Sequence, residues 1–348
     1  MSKKSYYYFL FLSSFGRGLV ESFSLVLLYK KGVSISFIFL FLILSYLLGI
    51  IISYVSLKSF KKFFLVISNM LYATLYIYFS FMDNSIYFYL IFLLLFSFSN
   101  YSYHTIRHYY AMCIKKDDSD FTHYFVLFHY LGVSFSSFLG GFMIEYISVF
   151  WVSVIILLFL LISCIPIIKC KISIMDKESI RLINIGKKKI VFSVLEQFKV
   201  VFIELQPLFL YFYIYQSFFS IGIFRVIMNL ASLVFALFFI RCIKEKKVKY
   251  ISLALGIVLI FKLFVKNQMV MFIIAFLEGI FCKMYEVFSL RCLYSYKDYS
   301  IGAYLMTEEF IFLLSKSIIV CLFLFLNFKV SMFICVVGII ISGFLYEV

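Results

Sequence analysis

The sequence predicts an all-α integral membrane protein with twelve transmembrane helices, arranged as two sets of six. Three observations predict it. Of 348 residues, 65% are hydrophobic and only 14% charged, with a mean hydropathy of +1.07; a soluble domain holds about 45–50% apolar and about 25% charged residues. That excess excludes a soluble enzyme, a secreted disulfide scaffold and a disordered chain. Apolar runs of about 20 residues, the length that crosses a hydrocarbon layer about 30 Å thick, recur twelve times. A basic stretch at 169–196 divides them six and six.

Breaking the chain at charged and turn-rich points places the first spans at 6–29, 33–57, 62–82, 85–113, 121–145 and 147–168. The second set falls at 197–217, 220–241, 248–265, 268–293, 300–326 and 329–346. The expected organisation is a six-helix bundle over 1–168, a cytoplasmic basic linker over 169–196, and a second bundle over 197–348. The first span is long, contains Arg17 and Glu21 and lacks a small-residue cleavage site, so it reads as a retained helix rather than a leader.

Charge gives an independent check on this layout. With the N-terminus inside, 21 of the 32 Lys and Arg fall in inner segments and 4 in outer loops. Cytoplasmic loops are enriched in Lys and Arg, and one misplaced span would destroy the alternation beyond it. The net charge of +15 is therefore a topology device rather than a nucleic-acid signal, and both termini are expected in the cytoplasm. The expected location is the cell (inner) membrane, with many passes. The 48 Phe and 28 Tyr against 2 Pro and 14 Gly point to an AT-rich, bacterial genome. The eight cysteines form no CxxC pair and read as small buried hydrophobes.

An ionisable group at mid-membrane costs several kcal/mol, roughly, and faces a bundle interior or a wet cavity. Arg17 and Glu21 lie in span 1; Asn100, His104, Arg107 and His108 in span 4; His129 in span 5. Glu204 lies in span 7, Arg225 in span 8, Glu278, Lys283 and Glu286 in span 10, and Glu308 and Lys316 in span 11. These residues are the expected solute and ion pathway. Spans 2, 3, 6 and 12 have no interior charge and are expected to be lipid-facing or peripheral. Ser13, Arg17, Glu21 and Ser24 share one helical face, as do Asn100, His104, Arg107 and His108, and also Glu278, Cys282, Glu286 and Ser289. Each face is expected to point at a common centre. Arg17, with no place for a lone charge, is expected to meet a carboxylate, Glu21 or one from span 7 or 10. A span 4 base and a span 10 acid are expected on one cavity. Lys262 near the end of span 9 is read as snorkelling outward as readily as facing inward.

His104 and His108 at i, i+4 have no local acid or cysteine to complete a metal site. No phosphate loop, nucleophile elbow or zinc-protease motif occurs. No catalytic residue, metal or cofactor is expected.

Local strings resemble the major facilitator superfamily. SYVSLKSFKK at 53–62 is similar to the basic loop between that family's second and third helices: Lys58, Lys61 and Lys62 match its bases, while Ser53, Leu57 and Phe60 replace its Gly, Asp and Gly. The pseudo-repeat around Arg241 and Lys244 is equally eroded. NYSYHTIRHYYAMC at 100–113 and FLGGFMIE at 138–145, with Gly140 and Gly141, resemble the fourth and fifth helices of bacterial members; Glu204 and Pro207 resemble the seventh. The resemblance implies alternating access by a secondary transporter, with helices 1, 4, 7 and 10 lining the path. The implied partners are a small polar solute, anionic or zwitterionic, protons and the lipid bilayer, without nucleic acid. Two alternatives are a non-transporting scaffold or sensor on the same fold, and a membrane-embedded lipid-modifying enzyme using the His104–His108 face.

Overall fold

The computed structural model describes residues 3–59, 61–81, 85–115, 121–169, 180–238, 247–293 and 300–345. The acidic run Asp117, Asp118 and Asp120, the bases Arg241, Lys244, Lys246 and Lys297, and 170–179 of the basic stretch lie outside the described residues, as do the side chains of His123 and Arg291.

Thirteen α-helices and one π-helical turn form the described chain. They are α1 (Lys3–Glu21), α2 (Ser24–Lys30), α3 (Ile35–Lys58), α4 (Lys61–Ser80), α5 (Ile86–Lys115), α6 (Phe121–Tyr146) and α7 (Val149–Lys169). After 180–186, which is not helical, come α8 (Lys187–Leu210), the π turn (Tyr211–Tyr215), α9 (Phe218–Phe238), α10 (Val248–Phe264), α11 (Gln268–Leu293), α12 (Ile301–Phe325) and α13 (Phe328–Leu345). α1 and α2 are one rod, broken where the Phe23 N–H donates to the Val20 carbonyl at 2.8 Å, a tightened i→i+3 bond. α8 begins at Lys187, so 187–196 of the stretch read as linker is helix; its three lysines need no loop when they lie at a polar helix end.

Local chemistry sets several ends. Ser34 accepts from the Phe37 N–H at 3.3 Å and Ser300 from the Ala303 N–H at 3.2 Å, which starts α3 and α12. Pro207 has no N–H, so the helical bond to the Ile203 carbonyl is missing. The helix then widens into the π turn and stops at Gln216, whose φ is +51°.

Nine helical rods among the described residues are long and apolar enough to cross a membrane. Of the others, α10 is 17 residues long, and α11 and α12 each carry three interior ionisable groups (Glu278, Lys283, Glu286; Glu308, Glu309, Lys316). Large apolar side chains stand on the outside of the bundle, among them Ile51 (62% exposed), Phe264 (74%) and Ile318 (61%). Such a surface needs lipid rather than water, and the chain is a multi-pass membrane protein.

In the first set α1 packs on α6 and α7, α4 on α5 and α7, and α3 on α5. In the second, α8 packs on α12 and α13, α10 on α11 and α13, and α9 on α11. The sets meet chiefly through α6 against α9 and α3 against α12. Span 2, expected to be lipid-facing or peripheral for lack of charge, carries the outward-facing Ile51 on one side, while its other side belongs to the central contact with α12. Absence of charge reports only that no polar site is on that helix, and a tight apolar interface needs none.

Backbone contact explains the Gly-Gly of α6. A Cβ on Gly140 would lie 1.8 Å from the Leu19 carbonyl oxygen on α1. One on Gly141 would lie 2.6 Å from the Phe218 carbonyl oxygen, and one on Gly222 would lie 2.9 Å from that of Ser137. Only glycine lets these backbones approach so closely.

Two buried apolar clusters each draw on both sets. One includes Phe23, Leu28, Phe39, Phe209, Phe218 and Phe323; Tyr29 meets Phe212 edge-on with ring centroids 4.5 Å apart. The other, toward the end where Lys3, Lys58 and Lys187 lie, includes Tyr6, Leu57, Tyr110, Val287, Leu290 and Tyr304.

Candidate functional site

Arg17 on α1 is 3% exposed. Its Nε and Nη2 donate to Asn69 Oδ1 at 3.3 and 3.2 Å, its Nη1 to Asn100 Oδ1 at 3.2 Å, and its Nη2 to the Ser68 and Ser99 carbonyls at 3.3 and 3.0 Å. The guanidinium carbon lies 4.3 Å from the Tyr72 ring centroid and 3.8 Å from that of Tyr103. Among the described residues no carboxylate pairs with it. Neutral dipoles and two π faces carry the charge instead of the expected acid. A planar group with five donors can be satisfied that way; an ammonium cannot. Ser13 and Ser24 turn to the same side, to Tyr103 and Tyr76. Glu21 does not join them: it is exposed, and among the described residues its carboxylate makes neither hydrogen bond nor ion pair.

The second set pairs its charges directly. Glu278, 1% exposed, accepts from Lys262 Nζ at 2.6 Å and from Gln206 Nε2 at 2.5 Å. Lys262 is itself fully buried, so it faces inward and does not snorkel; its partner 16 residues on in sequence gave no local sign of this. Lys283 pairs with Glu286 at 2.9 Å, Lys199 with Glu196 at 3.4 Å, and Lys316 with Glu204 at 3.4 Å. Glu308 accepts from Tyr304 at 2.9 Å and Ser193 at 3.0 Å, with Lys189 at 3.5 Å, inside the α8–α12 contact.

Between the sets, Tyr130 on α6 donates to Glu286 Oε2 on α11 at 2.6 Å, and Lys283 lies 3.6 Å from the Tyr130 ring centroid. Arg107 Nη2 lies 3.4 Å from Nε2 of both His104 and His108, and His129 Nδ1 is 2.8 Å from Ser14 Oγ. Glu309 on α12, 7% exposed, has neither hydrogen bond nor ion pair among the described residues.

Arg225 on α9 is 7% exposed. Its Nη2 donates at 2.9 Å to the Ile203 carbonyl, the one that Pro207 leaves without its helical donor. Arg225 Nε and Gln206 Oε1 are both buried and have no hydrogen-bond partner among the described residues. Among the described residues no group of three or more His, Cys, Asp or Glu side chains is placed to hold a metal ion.

The structure therefore gathers Arg17 with Asn100; His104, Arg107 and His108; and Glu278, Lys283 and Glu286 with helices of their own or the other set. It leaves Glu308 within the second set alone. Sequence reasoning passed over Asn69, Tyr130 and Gln206. A search for polar as well as ionisable residues in apolar runs would have found them; Glu309, beside Glu308 in span 11, is ionisable and as visible as its neighbour.

No protein-family model and no curated protein matches the chain. The solved structure of the human organic anion transporter MFSD10 (TETRAN) superposes with a TM-score of 0.72, covering 99% of this chain and 98% of that one at 12% identity. The chain shares the fold of that transporter. At that identity the likeness extends to architecture and not to residues.

Proposed function

We propose that the chain is a secondary active transporter of a small polar solute, working by alternating access across the cell membrane. The observation that carries this reading is that buried polar and ionisable side chains of the two sets meet, Tyr130 of the first donating to Glu286 of the second, in a bundle whose two apolar clusters each draw on both sets. The packing partners repeat as well: α1, α4 and α3 find partners in the first set as α8 or α10 and α9 do in the second. Two six-helix repeats, twelve spans and inward-facing termini fit this pattern and the positive-inside bias. The neighbour that shares the fold carries organic anions by its name; for this chain an anionic group on the solute fits Arg225 and Arg107. Proton coupling falls to acids that lack a lysine partner, Glu21 and Glu309, rather than to Glu204, Glu278 or Glu286.

Purified protein in proteoliposomes should accumulate labelled solute from a metabolite panel, more so with an imposed inward proton gradient. Absence of uptake for every solute under either gradient would favour a scaffold or sensor on this fold. Reporters fused after Lys31 and after Lys187 should report opposite sides of the membrane.

A further inference from the structure

We infer that the segment 180–186 is a strap that holds the lysine-bearing end of the bundle shut, and that it must leave its seat before the two sets can part there. The inference rests on the transporter reading and adds a control on its cycle.

Within the basic stretch, Ile180, Leu182, Ile183 and Ile185 stand among Lys177, Arg181, Lys187, Lys188 and Lys189. A linker that only joins two bundles through water is polar and flexible, so this aliphatic run is out of place in one. The structure gives it a seat. Ile180, Ile183 and Ile185 are half-buried and pack against the apolar cluster at the end where Lys3, Lys58 and Lys187 lie, while Arg181, Leu182 and Asn184 are exposed. The backbone is held as well: the Ile183 N–H donates to Oγ1 of Thr307 on α12 at 3.0 Å. Thr307 gives its own proton to the Ala303 carbonyl at 2.9 Å, which leaves its oxygen to accept. The strap ends in a built turn. Asn184 Oδ1 accepts from the Gly186 N–H at 3.0 Å, and Gly186, with a φ of +89°, turns the chain into α8.

What the strap sits on decides what it does. The cluster takes Tyr6, Leu57 and Tyr110 from the first set and Val287, Leu290 and Tyr304 from the second. In alternating access those two groups separate whenever this end opens, which divides the seat of the three isoleucines. The strap therefore binds the closed arrangement better than the open one, and a segment with that difference in affinity shifts the balance toward the closed form. The chain enters the strap from the first set, after α7, and leaves it into α8 of the second. It is thus tethered beside its seat in every cycle, at a high effective concentration. Leaving the seat uncovers three half-buried side chains and one backbone N–H. That cost is modest, as a clasp that opens repeatedly requires.

The test reads the opening directly and needs no solute. In the full chain with its eight native cysteines replaced by serine, spin labels are placed through Lys58→Cys on α3 and Lys188→Cys on α8, both exposed at this end. Pulsed electron paramagnetic resonance in detergent then reports the distance between the sets. With the strap unaltered the short distance should dominate. Ile183→Ser with Ile185→Ser should raise the ratio of long to short distances at least about tenfold, because the strap loses its apolar grip. Ile183→Val with Ile185→Val should keep the original ratio. Thr307→Val removes only the acceptor and should raise the ratio about threefold. It lies on another helix, so it carries the test even if the serine variant fails to fold. A ratio unchanged in the serine variant and in Thr307→Val overturns the strap, and uptake of a solute by the same protein would leave transport standing. A ratio that rises as expected in a protein that takes up no solute overturns transport and leaves the clasp.

Discussion

The two sets of helices meet the same physical problem, a buried positive charge in an apolar bundle, in opposite ways. In the first set Arg17 has no acid partner among the described residues; two asparagine oxygens, two backbone carbonyls and two tyrosine rings surround it. In the second, Lys262, Lys283, Lys316 and Lys199 each have a glutamate. The chemistry of the cation decides which solution works. A guanidinium spreads its charge over a plane with five donors and can be solvated by dipoles. An ammonium is compact and strongly hydrated, and in a dry interior it requires an anion. The difference teaches that a charge in a membrane span does not by itself imply a counter-charge. Pairing by dipoles builds a fixed structure; pairing by ions leaves charges that can exchange partners.

Removing the guanidinium should have the largest effect. Arg17→Leu strands several acceptors at once, and a loss of about 3–5 kcal/mol is expected, read as a fall in the unfolding midpoint in detergent and loss of monodisperse protein. Replacing Asn69 by Leu as well should not restore stability, because Asn100 Oδ1 still loses its donor. Lys262→Met comes next: an uncompensated Glu278 should cost about 3 kcal/mol. Here, unlike in the first set, Lys262→Met with Glu278→Gln should recover most of the loss in a double-mutant cycle. A double variant no more stable than the single would break the contrast between the sets. Lys283→Met should cost less, about 1–2 kcal/mol, since Glu286 keeps the Tyr130 hydroxyl and is itself partly exposed. Smallest is Lys316→Gln, below about 1 kcal/mol, because that pair is long at 3.4 Å and both side chains are partly exposed.

Most of the helix order was legible in the sequence because apolar length and the alternation of loop charge report span by span. Span 7 shows the limit. Its start moved from 197 back to Lys187, since three lysines look like loop whether they leave a helix or begin one. The site was legible in its ionisable members but not in its pairings. Lys262 and Glu278 sit on different helices, and no periodicity connects them. Arg225 is the clearest case: its position depends on a carbonyl freed by Pro207 on another helix. Both residues were in view, but their connection exists only in three dimensions. The expected carboxylate for Arg17 failed because the count of charges ignored Asn69 and Asn100, which do the same work without one.

The contact of Gly141 on α6 with Gly222 on α9 has a mechanical consequence. Helices that meet through larger side chains mesh like gears, with side chains as teeth seated between those of a neighbour, so that one rod turns past another only by lifting each tooth from its seat. At these two glycines there are no teeth. Backbone runs along backbone as a shaft in a plain bearing, with no preferred stops and little friction. A joint of that kind fixes an axis and leaves the angle free, so the angle at which the two sets of helices rest is decided at the rims, where the aromatic rings lie, and not at the pivot.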